Sequence, residues 1–159
     1  MSLLLPRMKS LFYHRSAGVE SLISITNKHI SLQDVMFELE DNSAGALSIF
    51  IGNVRNQGRS GNVSEIYYEA YSEMAEQKMR EIENEAQTKW GIKKLVAFHR
   101  IGNIKVGETS IIIGVSSEHR HEAFEACKYI INNVKTRVPI WKKEISEESQ
   151  KWANGILLE

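Results

Sequence analysis

The run from Val134 to Glu144, Val-Lys-Thr-Arg-Val-Pro-Ile-Trp-Lys-Lys-Glu, constrains the fold more than any other stretch of this chain. Upstream of it, Ala123, Phe124, Cys127, Ile130, Ile131 and Val134 recur at i, i+3, i+4 spacing, the pattern of an amphipathic helix lying on a core. Pro139 has no N–H to donate and pushes the preceding residue out of α geometry. The helix is therefore expected to end near Arg137 or Val138 and to give way to an extended segment. The corner gathers Lys135, Arg137, Lys142 and Lys143 around Pro139 and Trp141. Crowded ammonium groups repel one another, so a lysine of such a pair is a candidate base or nucleophile near neutral pH. The same corner also suits plain anion binding, or a solvated basic turn anchored by Trp141.

Any preference for anions must come from such local clusters. Twenty basic and 20 acidic side chains cancel to a net charge of 0, so no overall field favours nucleic acid or a membrane surface. A chain of 159 residues with 42% hydrophobic residues can bury one proper core. The single cysteine excludes an intrachain disulfide framework and fits a reducing compartment, so the expected location is cytoplasmic. No apolar run approaches the ~20 residues that span a bilayer.

In chain order, residues 1–20 read as an N-terminal extension. Arg7, Lys9, His14 and Arg15 stand among Leu3, Leu4, Leu5, Leu11 and Phe12 with no acid before Glu20, a pattern shared by targeting segments and by arms that pack on a partner. Residues 21–159 read as a single domain. Ser21–Thr26 alternates as a strand, and Ser31 with Asp34 three positions on starts a helix carrying Val35, Met36 and Leu39. Gly45–Val54 and Val63–Ala70 are expected to be two strands of one long hairpin with a basic, glycine-bearing tip. Ser72 is expected to cap a helix bearing Met74, Ala75, Met79, Ile82, Ala86 and Trp90, which Gly91 stops. Lys94–Ile101 and Thr109–Ser116 are two further strands joined by turns, and the last long helix is expected from about Ser117. This order predicts an α/β (α+β) fold, a mainly antiparallel sheet packed with helices.

His119 and Arg120 open that last helix, where free N–H groups and the helix dipole favour an anion; the same pair also suits an ordinary polar helix start. Arg55, after the Gly45–Val54 strand, is a third candidate for the same anion. A metal site is not expected, because His119 and His121 point in different directions and no cluster completes a ligand set. His99 reads as a structural residue or hydrogen-bonding spacer, and Cys127, on the buried stripe, as a small core residue rather than a sulfur carrier. His119 and Lys135 are separated by about 24 Å of helix at ~1.5 Å per residue, so they cannot line one small pocket within a chain. Either there are two sites, or His119 and Arg120 of one subunit complete the pocket of another.

Several motifs occur in order along the chain: Gly45-Ala46 through Gly52-Asn53-Val54-Arg55, Tyr68-Glu69-Ala70-Tyr71 with Met74-Ala75, His99-Arg100-Ile101-Gly102, Ser116-Ser117-Glu118-His119-Arg120, and Lys135 through Pro139-Ile140-Trp141-Lys142-Lys143-Glu144. As an ordered set from about Ser21 to Asn154, they resemble the large, catalytic subunit of molybdopterin synthase. The resemblance implies an α/β hammerhead fold and a sulfur transfer that converts cyclic pyranopterin monophosphate, precursor Z, into molybdopterin in molybdenum cofactor biosynthesis. It implies a small ubiquitin-like partner whose C-terminal Gly-Gly thiocarboxylate brings the sulfur, and a central homodimer within a heterotetramer. No metal or other cofactor is implied.

By motif, Lys135 and Lys142 match the family's catalytic lysines. The implied substrate-binding residues are Asn53, Val54, Arg55, His119, Arg120, Lys135, Lys142, Lys143 and Glu144. Asn53 stands where the family often has a basic residue. Two readings without this chemistry compete: an anion- or RNA-binding module, which would ordinarily add aromatic platforms and a positive balance, and a pure interaction scaffold.

Overall fold

The computed structural model describes residues 13–16, 19–59, 61–147 and 150–152. Strands β1 (Tyr13–Ser16) and β2 (Val19–Thr26) pair antiparallel at one edge of a five-stranded sheet. Helix α1 (Leu32–Glu38) follows, and the Ser31 hydroxyl accepts from the Asp34 N–H as its cap. Next come β3 (Ala46–Asn53), a small hairpin of β4 (Gln57–Gly58) and β5 (Gly61–Asn62), and β6 (Glu65–Ala70). The remaining elements are α2 (Ser72–Trp90), β7 (Lys94–Arg100), β8 (Gly102–Lys105), β9 (Thr109–Ser117), α3 (Arg120–Arg137), β10 (Ile140–Ile145) and β11 (Gln150–Trp152).

The larger sheet has the order β1-β2-β7-β9-β3 and is antiparallel except where β2 meets β7. Helices α2 and α3 cover one face, where Met79, Ile82, Ala126, Ile130 and Val134 pack on Leu95, Ala97, Ile111 and Ile113. Helix α1 covers part of the other face through Val35 and Leu39 against Val96 and Ile112. The smaller sheet, β11-β10-β6-β8, is built around a separate cluster of Val54, Val63, Ile66 and Ile104. The fold is α+β with mainly antiparallel sheets, as the element order predicts.

Four expectations about strand pairing and element ends differ from what is found. The Gly45–Val54 and Val63–Ala70 strands do not form a hairpin: β3 pairs with β9, whereas β6 pairs with β8 and β10 in the other sheet. Val54 turns inward at the crossing and enters the small-sheet core at 2% exposure, and that burial separates the two strands. The segment after Ile101 is a strand rather than a turn. Gly102, at φ 86°, lets the chain leave the large sheet and enter the small one as β8. Ser72 is the first helical residue and gives no side-chain cap, the N-cap position being Tyr71. Finally, β9 continues through Ser117 because Ser116 and Ser117 stay buried and paired with β3, so α3 starts at Arg120.

The Pro139 corner falls where expected, with α3 ending at Arg137 and Val138 already extended. Phe124, placed on the buried stripe by spacing, is 61% exposed. Residues 1–12 and 17–18 lie outside the described residues, and with them most of the segment read as a targeting or partner-packing arm. The part of it that is described, β1, is the edge strand beside β2.

Candidate active site

The extended backbone after Arg137 turns the lysines on either side of Pro139 toward one space. Lys135, from the last turn of α3, and Lys142, from β10, line the same cavity of about 800 Å³ between the helix end and the two sheets. Side chains alternate along β10. Ile140, Lys142 and Glu144 therefore face the cavity, and Lys143 faces away, its Nζ 5.4 Å from both the Tyr67 and Trp152 rings.

Glu144 is the acidic counterweight. Its side chain is 7% exposed and its Oε1 lies 3.6 Å from Lys142 Nζ. The β4–β5 tip closes over it so tightly that a Cβ on Gly58 would collide with the Glu144 carboxylate. A side chain at Gly58 would therefore have to displace the Glu144 carboxylate.

The end of β3 supplies the third component. The register against β9 shifts between Gly52 and Asn53, an irregularity that re-aims the residues that follow. Asn53 and Arg55 line the cavity, while Val54 between them is buried in the small-sheet core. Asn53 Oδ1 accepts from the Thr109 hydroxyl at 2.8 Å.

Of the residues the sequence nominates, the cavity brings together Asn53, Arg55, Lys135, Lys142 and Glu144. Val54, Lys143, His119 and Arg120 lie outside it. His119 and Arg120 are at the opposite end of α3, an unbroken helix of 18 residues and so about 27 Å long at ~1.5 Å per residue. His119 is solvent-exposed, its Nε2 being 3.7 Å from Glu118 Oε1.

Besides Phe50, two aromatic residues that spacing had not nominated as site residues also line the cavity, Tyr68 and His99. Their rings meet edge to face with centroids 5.0 Å apart. Burial pushes the Tyr68 phenol up, partly offset by the Ser110 hydroxyl. His99 is 7% exposed, and burial pushes its pKa down to about 4, with the Lys135 ammonium acting in the same direction and the bond to the Arg100 carbonyl opposing both. The sequence carried a signal for it. His99 ends the Leu95, Ala97 alternation that forms the helix-covered face of β7, so an imidazole stands where that apolar face runs out. Cys127 is buried beside the Ile113 carbonyl and its thiol pKa is raised by burial, the opposite of an activated thiolate.

A donor-rich cavity with two lysines, two arginines and one buried carboxylate is suited to holding an anionic substrate and moving protons on it. Residues 25–137 match the family model described as MoaE protein. The chain is 39% identical over 138 residues to the molybdopterin synthase catalytic subunit of Pyrococcus abyssi, a match covering 86% of this chain and 93% of that one. It is 42% identical over 133 residues to the human molybdopterin synthase catalytic subunit, covering 84% and 71% of the two chains. The crystal structure of molybdopterin synthase from Staphylococcus aureus superposes with a TM-score of 0.79 at 35% identity, over 83% of this chain and 96% of that one. The chain belongs to the molybdopterin synthase catalytic-subunit family.

Proposed function

We propose that the cavity between α3, β3 and β10 is where this family's sulfur transfer takes place, converting cyclic pyranopterin monophosphate to molybdopterin in molybdenum cofactor biosynthesis. The observation that carries this reading is the convergence of Lys135 and Lys142, from opposite sides of the Pro139 corner, on one cavity with Arg55 and Glu144. Arg55 neutralises the substrate phosphate, since a guanidinium gives planar, charge-assisted hydrogen bonds to phosphate oxygens. The two lysines act as general acid and base while the pterin side-chain carbons take up sulfur and the cyclic phosphate opens. Glu144, buried against Lys142, orients that ammonium.

The sulfur donor in this reading is the C-terminal Gly-Gly thiocarboxylate of a small ubiquitin-like partner, and the buried state of Cys127 supports a donor from outside the chain. Two copies of the chain form a central homodimer, which places His119 and Arg120 of one copy at the cavity of the other and gives them a role that the length of α3 denies them within one chain. Residues 21–159 form a single domain, to whose sheet β1 and the start of β2 add residues 13–16 and 19–20 of the preceding segment. A reduced, buried thiol fits the cytoplasm. No helix among the described residues is long and apolar enough to cross a membrane.

The test is turnover of the purified chain with precursor Z and the thiocarboxylated small subunit, following dithiolene product after oxidation to a fluorescent pterin. Lys135→Ala and Lys142→Ala should each lower kcat on the order of 10²- to 10⁴-fold while remaining folded. Folded variants that support the reaction as well as wild type would leave the scaffold reading.

A further inference from the structure

The side chains around the cavity are rich in hydrogen-bond donors and short of acceptors. Arg55, Lys135 and Lys142 can only donate. The acceptors are largely committed, Glu144 to Lys142 at 3.6 Å and Asn53 Oδ1 to Thr109 at 2.8 Å. The Ser110 hydroxyl donates to the Gly52 carbonyl at 3.1 Å.

Gln57 and Thr136 offer acceptor oxygens from exposed positions, whereas His99 offers an acceptor nitrogen from a buried position. Its Nδ1 lies 2.7 Å from the Arg100 carbonyl oxygen, which can only accept, so Nδ1 carries the proton and donates it. The neutral ring then has its lone pair on Nε2, and no hydrogen bond among the described residues takes it up. The ring is more than nine-tenths buried, lines the cavity, and is held edge-on against Tyr68. The charged and titratable groups around the same cavity are Lys135 from α3, Lys142 and Glu144 from β10, Arg55 after β3, Arg59 after β4, and Tyr68 from β6.

We propose that His99 is a specificity-determining residue: its Nε2 is the neutral acceptor with which the cavity reads an N–H or O–H group on the substrate, and its Nδ1–H bond to Arg100 fixes the tautomer that makes this possible. A reduced pterin ring offers such N–H donors. A ligand presenting an acceptor at that point would set two lone pairs against each other at a buried ring, and rejection on that basis is stronger than rejection by shape alone. The inference rests on the pterin reading of the cavity and adds to it the residue that distinguishes a donor-bearing ring from any other phosphate-bearing group.

The experiment uses the full chain with its thiocarboxylated small subunit, and measures equilibrium binding of cyclic pyranopterin monophosphate together with KM and kcat. His99→Asn keeps an amide donor near the Nδ1 position and removes the Nε2 acceptor, whereas His99→Gln places an amide oxygen near the Nε2 position. The Asn variant should raise Kd and KM about 10- to 100-fold with kcat changed by less than about threefold. The Gln variant should recover most of that loss, and should the Asn variant fail to fold, Gln against His99→Met carries the same contrast. An Asn variant that binds as wild type, or Gln and Asn variants that lose binding equally while folded, would overturn the assignment and leave His99 a packing residue. Wild-type protein that neither binds nor turns over the pterin phosphate would instead remove the reading of the whole cavity.

Discussion

Protonating His99 would place a positive charge in a buried site already facing the Lys135 ammonium, which is why its pKa falls to about 4 from the usual 6.5. The unfolded chain takes up that proton near 6.5 and the folded chain does not until about 4. The imidazole therefore adds its full stability above the unfolded value, and that stability drains away as pH falls from 6.5 toward 4, at up to about 1.4 kcal/mol per pH unit. Urea unfolding across this range should show the wild type losing stability and His99→Gln losing much less. Equal slopes in both proteins would move the acid sensitivity to other groups. The contrast with Lys135, Lys142 and Glu144 is instructive at this scale. Proline, charge and spacing mark the two lysines and the family resemblance adds Glu144, whereas a single histidine at the end of an apolar strand reads the same whether it packs or binds.

Helix α3, which carries Lys135, is tied to α2 away from the cavity. Arg137, in the last turn of α3, holds Glu85 of α2 with Nη1 to Oε2 at 2.6 Å and Nη2 to Oε1 at 2.8 Å. Tyr129 donates to the same carboxylate at 2.5 Å, and the Lys89 ammonium lies 4.1 Å from the Tyr129 ring centroid. This clamp fixes the turn from which Lys135 projects. The Arg137 hydrogen bond, with that from Tyr129, holds Glu85 down to a pKa of about 2, so the clamp stabilises the fold above about pH 4.5 and is lost as pH falls toward 2. The side chains are 33% and 37% exposed, and screening limits the pair to about 1 kcal/mol. Glu85→Gln should cost about that much in urea unfolding at pH 7 and progressively less below pH 4.5. A constant deficit down to pH 3 would mean that packing, not charge, makes the link. The order of these elements was largely readable, since period-3.6 and period-2 patterns are local. Strand partners were not: β3 and β6 looked like a hairpin because neighbours in sequence usually pair, and burial of Val54 sent them to different sheets.

Over the whole molecule, α3 holds the two anion-binding candidates at opposite ends, so a shared site requires two copies facing each other. In a symmetric dimer each copy gives and receives the same residues. Mixing Lys135→Ala chains with chains carrying His119→Ala and Arg120→Ala, after dissociation and reassociation, should then create one intact site per hybrid dimer. Random pairing makes half the dimers hybrid, so activity should return to about a quarter of wild type. No recovery, with hybrids shown to form, would place His119 and Arg120 outside the reaction.

Local physics written in the sequence determined the helix end at Pro139, the Ser31 cap, the Gly91 stop, the α+β class and the lysine-rich corner, because each depends on residues within a turn or two of one another. Tertiary structure alone decided which strands share a sheet, that Lys142 and Glu144 face the cavity while Lys143 does not, and that His99 joins them. Those outcomes depend on which face of each strand finds apolar cover, and that cover comes from segments distant in the chain.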